Sequence, residues 1–271
     1  MAQARALITG AGSGLGRALA LRYARAGYAV ACADIRLERA QEAVAELGGA
    51  PHLALEVDVG DDRSFSELNR ALAAQWDSLD LVINNAGVAS GGGLLEADMA
   101  EWQWMLNINL LGVVRGCREF TPWLVRQGRG RIVNVASFAG LAGAPNIMSY
   151  GVAKAGVVML SEQLRAELHR KGVKVSVVCP SFFKTNLAEN WRGTPKMKHV
   201  AQTLMERAHE SAADIADSVF DQVSRDVFLI LPTKAERLRW RLKRFLPEFY
   251  FKQLLKMSQA RAMAHTNESA G

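Results

Sequence analysis

This sequence of 271 residues has few of the features that mark membrane, secreted or metal-binding proteins. No segment approaches 18 consecutive apolar residues, and a glycine-rich turn begins already at Thr9, which leaves no room for a signal peptide. The three cysteines have no CxxC or metal-ligand spacing, and the five histidines form no HxxxH pair. We therefore expect a cytoplasmic protein with buried free thiols and no catalytic metal.

The composition is that of an ordinary globular protein, with 49% apolar and 22% charged residues. Short apolar runs alternate with segments of helical periodicity, which predicts βαβ units in a three-layer, doubly wound α/β fold. We predict a seven-stranded parallel sheet and one catalytic domain over residues 1–233. The predicted strands are 6–8, 28–33, 52–57, 79–83, 131–136, 173–179 and 227–231.

A glycine-rich turn separates the first predicted strand from the first helix. Its pattern is Gly-x-x-x-Gly-x-Gly, with Gly10, Gly14 and Gly16 as the spaced glycines. Glycine permits positive φ and close approach of a pyrophosphate, and a helix N-terminus offers unpaired N–H groups. The turn therefore predicts a dinucleotide site that also includes Gly12, Ser13 and Leu15.

The second predicted strand ends in Asp34, at the distance from the turn where a ribose-binding carboxylate is expected. A carboxylate there would hold both ribose hydroxyls and repel a 2′-phosphate, which favours NAD over NADP. Arg36 could instead bind a 2′-phosphate or could be a solvated helix-start residue, so NADP stays possible.

Several polar residues stand where they need a further explanation. Asn84 and Asn85 follow the fourth strand, and Asn107 and Asn109 lie inside a predicted helix at 99–123, where asparagine is unfavourable. Ser137 follows the fifth strand. Tyr150 and Lys154 lie one turn apart on one face of a helix predicted at 149–170.

Together these motifs resemble the short-chain dehydrogenase/reductase family of the compact, classical type. The resemblance rests on TGAGSGLG (9–16), NNAG (84–87), NINLLG (107–112), Ser137 and YGVAK (150–154), in that order, and covers roughly residues 4–231. It implies a Rossmann fold, an NAD(P)-dependent oxidoreductase and a homodimer or homotetramer formed through the helices at 99–123 and 149–170. It also implies that Asn109 holds a water that relays protons to Lys154.

Hydride transfer to a carbonyl carbon needs a proton donor for the oxygen, which the resemblance assigns to Tyr150. A phenol with a pKa of about 10 is too weak an acid at neutral pH, and a nearby ammonium lowers that pKa. We expect Lys154 and the cofactor to lower the pKa of Tyr150 by about two to three units. Ser137 would stabilise the substrate oxygen.

The resemblance further implies a set of cofactor contacts beyond the glycine turn. Ser181 replaces the glycine that is usual after Pro180 in the family, which bears on the shape of the nicotinamide pocket. The implied contacts are Asp34, Ile35, Arg36, Asp58, Val59, Asn84, Asn85, Ala86, Gly87, Tyr150, Lys154, Pro180, Ser181, Phe183 and Thr185.

Apolar residues near the proposed site predict a bulky, lipophilic alcohol or ketone as substrate. A basic lid is expected at about 186–208. Two alternatives are an NADPH-dependent 3-oxoacyl reductase and a dinucleotide-sensing or membrane-surface regulatory protein without catalysis. The predicted pocket residues are Phe138, Ile147, Met148, Phe182, Leu187 and Trp191.

The C-terminal extension, 234–263, is unusually basic. Residues 234–256 contain eight lysines and arginines against two glutamates, and their net charge of +6 equals that of the whole chain. Leu238, Leu242, Phe245 and Leu246 recur at helical spacing and predict an amphipathic helix. Such a helix could lie on a membrane surface or pack on the protein or a neighbouring subunit. We expect no nucleic-acid binding, and residues 264–271 are expected to be disordered.

Overall fold

The computed structural model describes residues 3–49, 51–185, 189 and 191–256. Its centre is a parallel sheet of seven strands in the order β3-β2-β1-β4-β6-β7-β9, as the sequence predicts. A separate pair, β5 with β8, was not predicted, because two-residue strands carry no periodic signal. The strands are β1 (Arg5–Thr9), β2 (Ala29–Asp34), β3 (Leu53–Glu56), β4 (Leu81–Asn84), β5 (Ser90–Gly91), β6 (Gly130–Val135), β7 (Val173–Val178), β8 (Arg192–Gly193) and β9 (Leu229–Ile230).

Helices cover both faces of the sheet, so its strands are apolar on both sides. All six residues of β2 are buried. One core layer contains residues of α3, α5 and α7, and the other contains residues of α1, α2 and α9. The helices are α1 (Gly14–Arg25), α2 (Leu37–Ala45), α3 (Asp62–Gln75), α4 (Met99–Leu106), α5 (Gly112–Gln127), α6 (Ala139–Ala142), α7 (Met148–Leu168), α8 (Pro195–Glu206), α9 (Ala212–Ser224), α10 (Lys234–Phe245) and α11 (247–256).

The strand order places a switch point between β1 and β4, from which the chain winds outward in both directions. Ligands of open α/β sheets bind in the crevice outside the carboxyl ends of the strands at such a point. The glycine-rich turn follows β1, and Asn84 ends β4. The fold therefore brings both motifs to one crevice.

The helix predicted at 99–123 is interrupted by a π-helical turn, Asn107–Leu111, between α4 and α5. This turn contains both asparagines that the sequence marks as unfavourable in a helix. Such π-turns are rare and frequently occur at functional sites. The local violation is thus resolved by a local change of helix type.

The C-terminal extension forms the predicted helix, but the helix packs with a different face than its apolar spacing suggests. Glu236 on α10 is 1% exposed, whereas Leu238 and Phe245 are 69% and 75% exposed. The prediction that Leu238 and Phe245 belong to a packed apolar stripe is therefore wrong. The predicted tail, 264–271, and residues 257–263 lie outside the described residues.

All three cysteines, Cys32, Cys117 and Cys179, are buried and free, as predicted. Within the described residues, every helix is too short or too polar to serve as a membrane span.

Candidate active site

The glycine-rich turn leaves no room for side chains. Gly10 and Gly14 have φ of +66° and +51°, a region that strongly favours glycine. A Cβ added at Gly16 would lie 2.1 Å from the carbonyl oxygen of Gly10. Ser13, at the N-cap of α1, accepts no hydrogen bond from the first turn with its side chain. The N-terminal N–H groups of α1 therefore suit a pyrophosphate, as the sequence predicts.

Asp34 ties the end of β2 to this turn. Its carboxylate accepts hydrogen bonds from the backbone N–H groups of Gly12, at 3.0 Å, and Arg36, at 3.1 Å. The side chain is 9% exposed, and a Cβ added at Gly12 would lie 2.8 Å from its Oδ2 atom. Asp34 thus lies where a bound ribose would follow the pyrophosphate, while the neighbouring Ile35 is 58% exposed.

Two arginines beside Asp34 share one carboxylate. Arg36 Nη2 and Arg39 Nη2 lie 3.2 Å and 2.6 Å from Glu189 Oε1. Hydrogen bonds from Arg39, with its charge and that of Arg36, lower the pKa of Glu189 to about 2. An open cavity of about 450 Å³ adjoins these groups and is also lined by Lys198. Sequence reasoning found Arg36 but missed Arg39 and Glu189, since side chains 150 positions apart share no local pattern.

The NNAG motif (84–87) is fastened to the glycine turn through Thr9. The backbone N–H groups of Asn85 and Ala86 donate to Thr9 Oγ1 at 3.0 and 3.1 Å, and Asn85 Nδ2 donates to Thr9 O at 2.9 Å. Asn84 is buried, and its Nδ2 donates to Asn134 Oδ1 at 2.9 Å. These amides therefore have the structural role expected of them.

Gly87 and the π-turn meet at the fully buried side chain of Asn109. Asn109 Oδ1 accepts from Val88 N, and Nδ2 donates to Val88 O, both at 2.8 Å. A Cβ added at Gly87 would lie 2.8 Å from Asn109 Oδ1 and 3.5 Å from Lys154 Nζ. The side chain of Asn109 thus holds the loop after β4 beside the lysine.

Near the end of β3, the predicted adenine contacts belong to a tight turn. Asp58 Oδ1 accepts from Gly60 N at 2.7 Å, and Val59 O accepts from Arg115 at 3.1 Å. Asp58 is exposed and Val59 is half-buried.

Ser137, Tyr150 and Lys154 lie together beyond the carboxyl end of β6. The hydroxyl of Ser137 is hydrogen-bonded to that of Tyr150. Lys154, on α7, is 4% exposed, and its Nζ donates to Val135 O at 3.0 Å. Two hydroxyl groups and an ammonium can here act together on a substrate oxygen.

Burial dominates the protonation of this group. Burial lowers the pKa of Lys154 to about 8. It also raises the pKa of Tyr150, against the opposing effect of the hydrogen bond with Ser137. In the protein alone, the expected lowering of the pKa of Tyr150 is therefore wrong, because desolvation outweighs the neighbouring groups.

The segment after β7 closes over this crevice. Pro180 O accepts from Phe138 N at 2.8 Å, and the carboxylate of Glu236 accepts from Ser181 N at 2.5 Å. A Cβ added at Gly14 would lie 2.8 Å from Thr185 Oγ1, so this threonine lies over the glycine turn. Phe183 is 8% exposed and belongs to the core.

Sequence reasoning missed Glu236. The T-x-x-E pattern that begins with Thr233 marks it as a capping-box residue, which it is. No sequence pattern points to its contact with Ser181.

The predicted pocket residues separate into two sets. Phe138 is buried in the core, and Trp191 packs on Ala201 and Met205 of α8. Met148 and Phe182 are 38% and 46% exposed. Ile147 is half-buried, and Leu187 lies outside the described residues. Phe138 therefore supports the site from below.

Comparison with known proteins agrees with this geometry. A family profile described as short chain dehydrogenase matches residues 4–196. The probable oxidoreductase EphD of Mycobacterium tuberculosis is 37% identical over 183 residues, which are 66% of this chain but 31% of EphD. The chain thus spans about a third of the length of that relative.

Two further proteins match most of the chain. The 3-oxoacyl-(acyl-carrier-protein) reductase FabG of Staphylococcus aureus is 32% identical over 217 residues, 79% of this chain and 88% of FabG. A short chain dehydrogenase/reductase of Burkholderia phymatum, solved in complex with NAD, is 31% identical with a TM-score of 0.85, covering 91% of this chain and 95% of its own. With its motifs in one crevice of a Rossmann fold, the chain belongs to the short-chain dehydrogenase/reductase family of oxidoreductases.

Proposed function

We propose that this protein interconverts a secondary alcohol and a ketone with an NAD(P) cofactor, using Tyr150 as general acid and base. The observation that carries the proposal is the hydrogen-bonded pair of Ser137 and Tyr150, with the buried Lys154 one helical turn away. This group lies in the same crevice as a glycine turn that excludes side chains. Site and turn are placed as a hydride transfer between two bound molecules requires.

The cofactor would supply or accept the hydride at the carbonyl carbon. The α1 N-terminus would bind its pyrophosphate, Asp34 its adenosine ribose and Thr185 its carboxamide. Ser137 and Tyr150 would hold the substrate oxygen between their hydroxyl groups, which orients the carbonyl. In reduction, the Tyr150 hydroxyl gives its proton to the oxygen.

The proton on Tyr150 must then be replaced. Lys154 carries an ammonium with a lowered pKa, which suits a donor that exchanges protons near neutral pH. Asn109 holds the loop beside Lys154, and we propose that a water bound there connects the lysine to solvent. In oxidation the same groups carry the proton outward.

We propose NAD as the cofactor, because Asp34 is placed to bind the ribose hydroxyls and the B. phymatum relative was solved with NAD. Arg36 and Arg39 keep NADP possible, because both guanidinium groups lie beside Asp34. Titration with NADH and NADPH, followed by nucleotide fluorescence, tests this choice. Binding of NADH at least tenfold tighter, about 1.4 kcal/mol, would support it, and tighter NADPH binding would overturn it.

A bulky lipophilic alcohol or ketone is the proposed substrate, because Met148 and Phe182 expose apolar surface beside the site. The similarity to FabG favours a second candidate, a 3-oxoacyl thioester. Turnover of a set of hydrophobic ketones and 3-oxoacyl thioesters compares the two. Tyr150→Phe should abolish turnover, whereas unchanged turnover would favour a dinucleotide-sensing protein instead.

We propose a homo-oligomer formed through the π-turn and α7. Leu111, Val152 and Met159 are 44%, 47% and 54% exposed there, an apolar surface typical of a subunit contact. Light scattering of the eluting protein would give its mass, and a monomer at all concentrations would refute this contact.

A further inference from the structure

The C-terminal helix α10 is attached to the protein through polar groups. Glu236 accepts from Ser181 N, and Lys243 Nζ donates to Leu141 O. Trp240, between them on the same face, packs against the core. Since the inward face is Glu236, Trp240 and Lys243, the apolar residues at other helical positions are left outside.

The outward side of α10 and α11 is rich in large apolar side chains. The six residues are 43% to 75% exposed, more than single scattered apolar residues on an ordinary surface would give. We call this set the C-terminal apolar face. Its members are Leu238, Phe245, Leu246, Phe249, Phe251 and Leu255.

Basic side chains interleave with this face. All six are exposed, and none takes part in an ion pair within the described part of the chain. Glu248 is the exposed acidic residue among them. These basic residues are Lys234, Arg239, Arg241, Arg244, Lys252 and Lys256.

We propose that the C-terminal apolar face docks on an anionic lipid membrane, with its aromatic and leucine side chains in the headgroup and upper acyl region. Aromatic and leucine side chains combined with lysine and arginine are typical of helices that lie in a membrane interface. Anionic headgroups neutralise the basic side chains, and acyl chains take up the apolar ones. A second copy of the chain fits less well, because its face would bring the same positive charge against this one. The proposal does not depend on the catalytic role of Tyr150.

The test is flotation of the intact protein with vesicles. We expect binding to phosphatidylcholine mixed with an equal part of phosphatidylglycerol, weaker binding at high salt, and little binding to phosphatidylcholine alone. Phe245→Ser with Phe249→Ser removes apolar contacts, and Arg241→Glu with Arg244→Glu reverses charge. Each pair should lower the vesicle partition coefficient at least about tenfold.

Matched controls change equally exposed residues elsewhere. Leu94→Ser with Leu95→Ser removes side chains that are 63% and 98% exposed, and Arg63→Glu with Arg70→Glu reverses two exposed charges. Both controls should bind anionic vesicles like the unchanged protein. Equal loss in test and control pairs, or no vesicle binding at all, would overturn the proposal.

Two other occupants give distinct results. If the Phe245 and Phe249 pair changes the oligomer mass without changing flotation, the face is a contact between copies. If a chain ending at Lys256 binds vesicles only weakly while the intact chain binds well, residues 257–271 provide the contact. Either result refutes docking by the C-terminal apolar face.

Discussion

The buried ammonium of Lys154 should cost the protein stability that a nonpolar side chain would restore. The side chain is 4% exposed, and its Nζ donates to Val135 O. Lys154→Met keeps much of the side-chain volume and removes the charge. We expect this variant to be more stable than the unchanged protein at neutral pH and to lose turnover, because the lysine would be retained for catalysis alone.

The magnitude follows from the pKa. Burial lowers the pKa of Lys154 from 10.5 to about 8. At about 1.4 kcal/mol per unit, keeping the side chain charged in the folded state costs about 3 kcal/mol. Loss of the hydrogen bond to Val135 O takes back about 1 kcal/mol. The expected net gain at pH 7 is therefore about 2 kcal/mol.

The pH dependence has a defined sign. Between the folded pKa of about 8 and the unfolded value of 10.5, the unfolded chain binds more protons at Lys154, so the stability of the unchanged protein rises with pH there. Below pH 8 the penalty is fully present. The advantage of Lys154→Met should therefore be largest at pH 7 and shrink as the pH approaches 10.

Urea unfolding of both proteins at several pH values measures this difference. Tyr150→Phe is the control, because it also stops turnover but leaves the lysine in place. It should follow the pH dependence of the unchanged protein up to pH 10. An advantage of Lys154→Met that stays constant with pH, or a loss of stability at pH 7, would refute the reasoning.

Three further variants test the surroundings of the site. Gly12→Ala should weaken NADH binding severely, because the new Cβ would lie 2.6 Å from the Cβ of Arg39; fluorescence titration measures the affinity. Glu189→Gln should release Arg39 and improve NADPH binding up to about fivefold, as the loss of an exposed ion pair allows, and an unchanged ratio of NADPH to NADH affinity would contradict it. Glu236→Ala should lower the free energy of unfolding by about 2 kcal/mol, because Ser181 N would lose a buried acceptor, and Glu236→Gln should lose less in urea unfolding.

Local patterns in the sequence predicted the sheet and the glycine turn, because strands buried on both sides are continuous apolar runs and the turn has a fixed spacing. The asparagines at 107 and 109 correctly marked an irregular helix, although no pattern indicated that it would contain a π-turn. The sequence could not show that Glu189 binds Arg39, since their contact depends on how two distant segments meet. The orientation of α10 was missed for a related reason.

In α10, helical periodicity favours the leucine and phenylalanine positions as the inward face, and burial of apolar surface would ordinarily decide the matter. The capping box instead fixes Glu236 at the first turn, where its carboxylate satisfies two backbone N–H groups, of Thr233 and Ser181. An unpaired buried N–H is costly, so this polar contact can set the rotation of the helix.

The same contact connects the extension to the catalytic crevice. Pro180 accepts from the backbone beside Ser137, and the next residue, Ser181, donates to Glu236 on α10. Deleting residues after Leu231 would therefore remove a support of the segment that carries Thr185, and would damage turnover whether or not the extension binds membranes. Substitutions on the outward side, such as Phe245→Ser, leave the Glu236 contact in place. They are the variants that can separate membrane docking from catalysis, and we expect them to lower flotation while cofactor affinity stays unchanged.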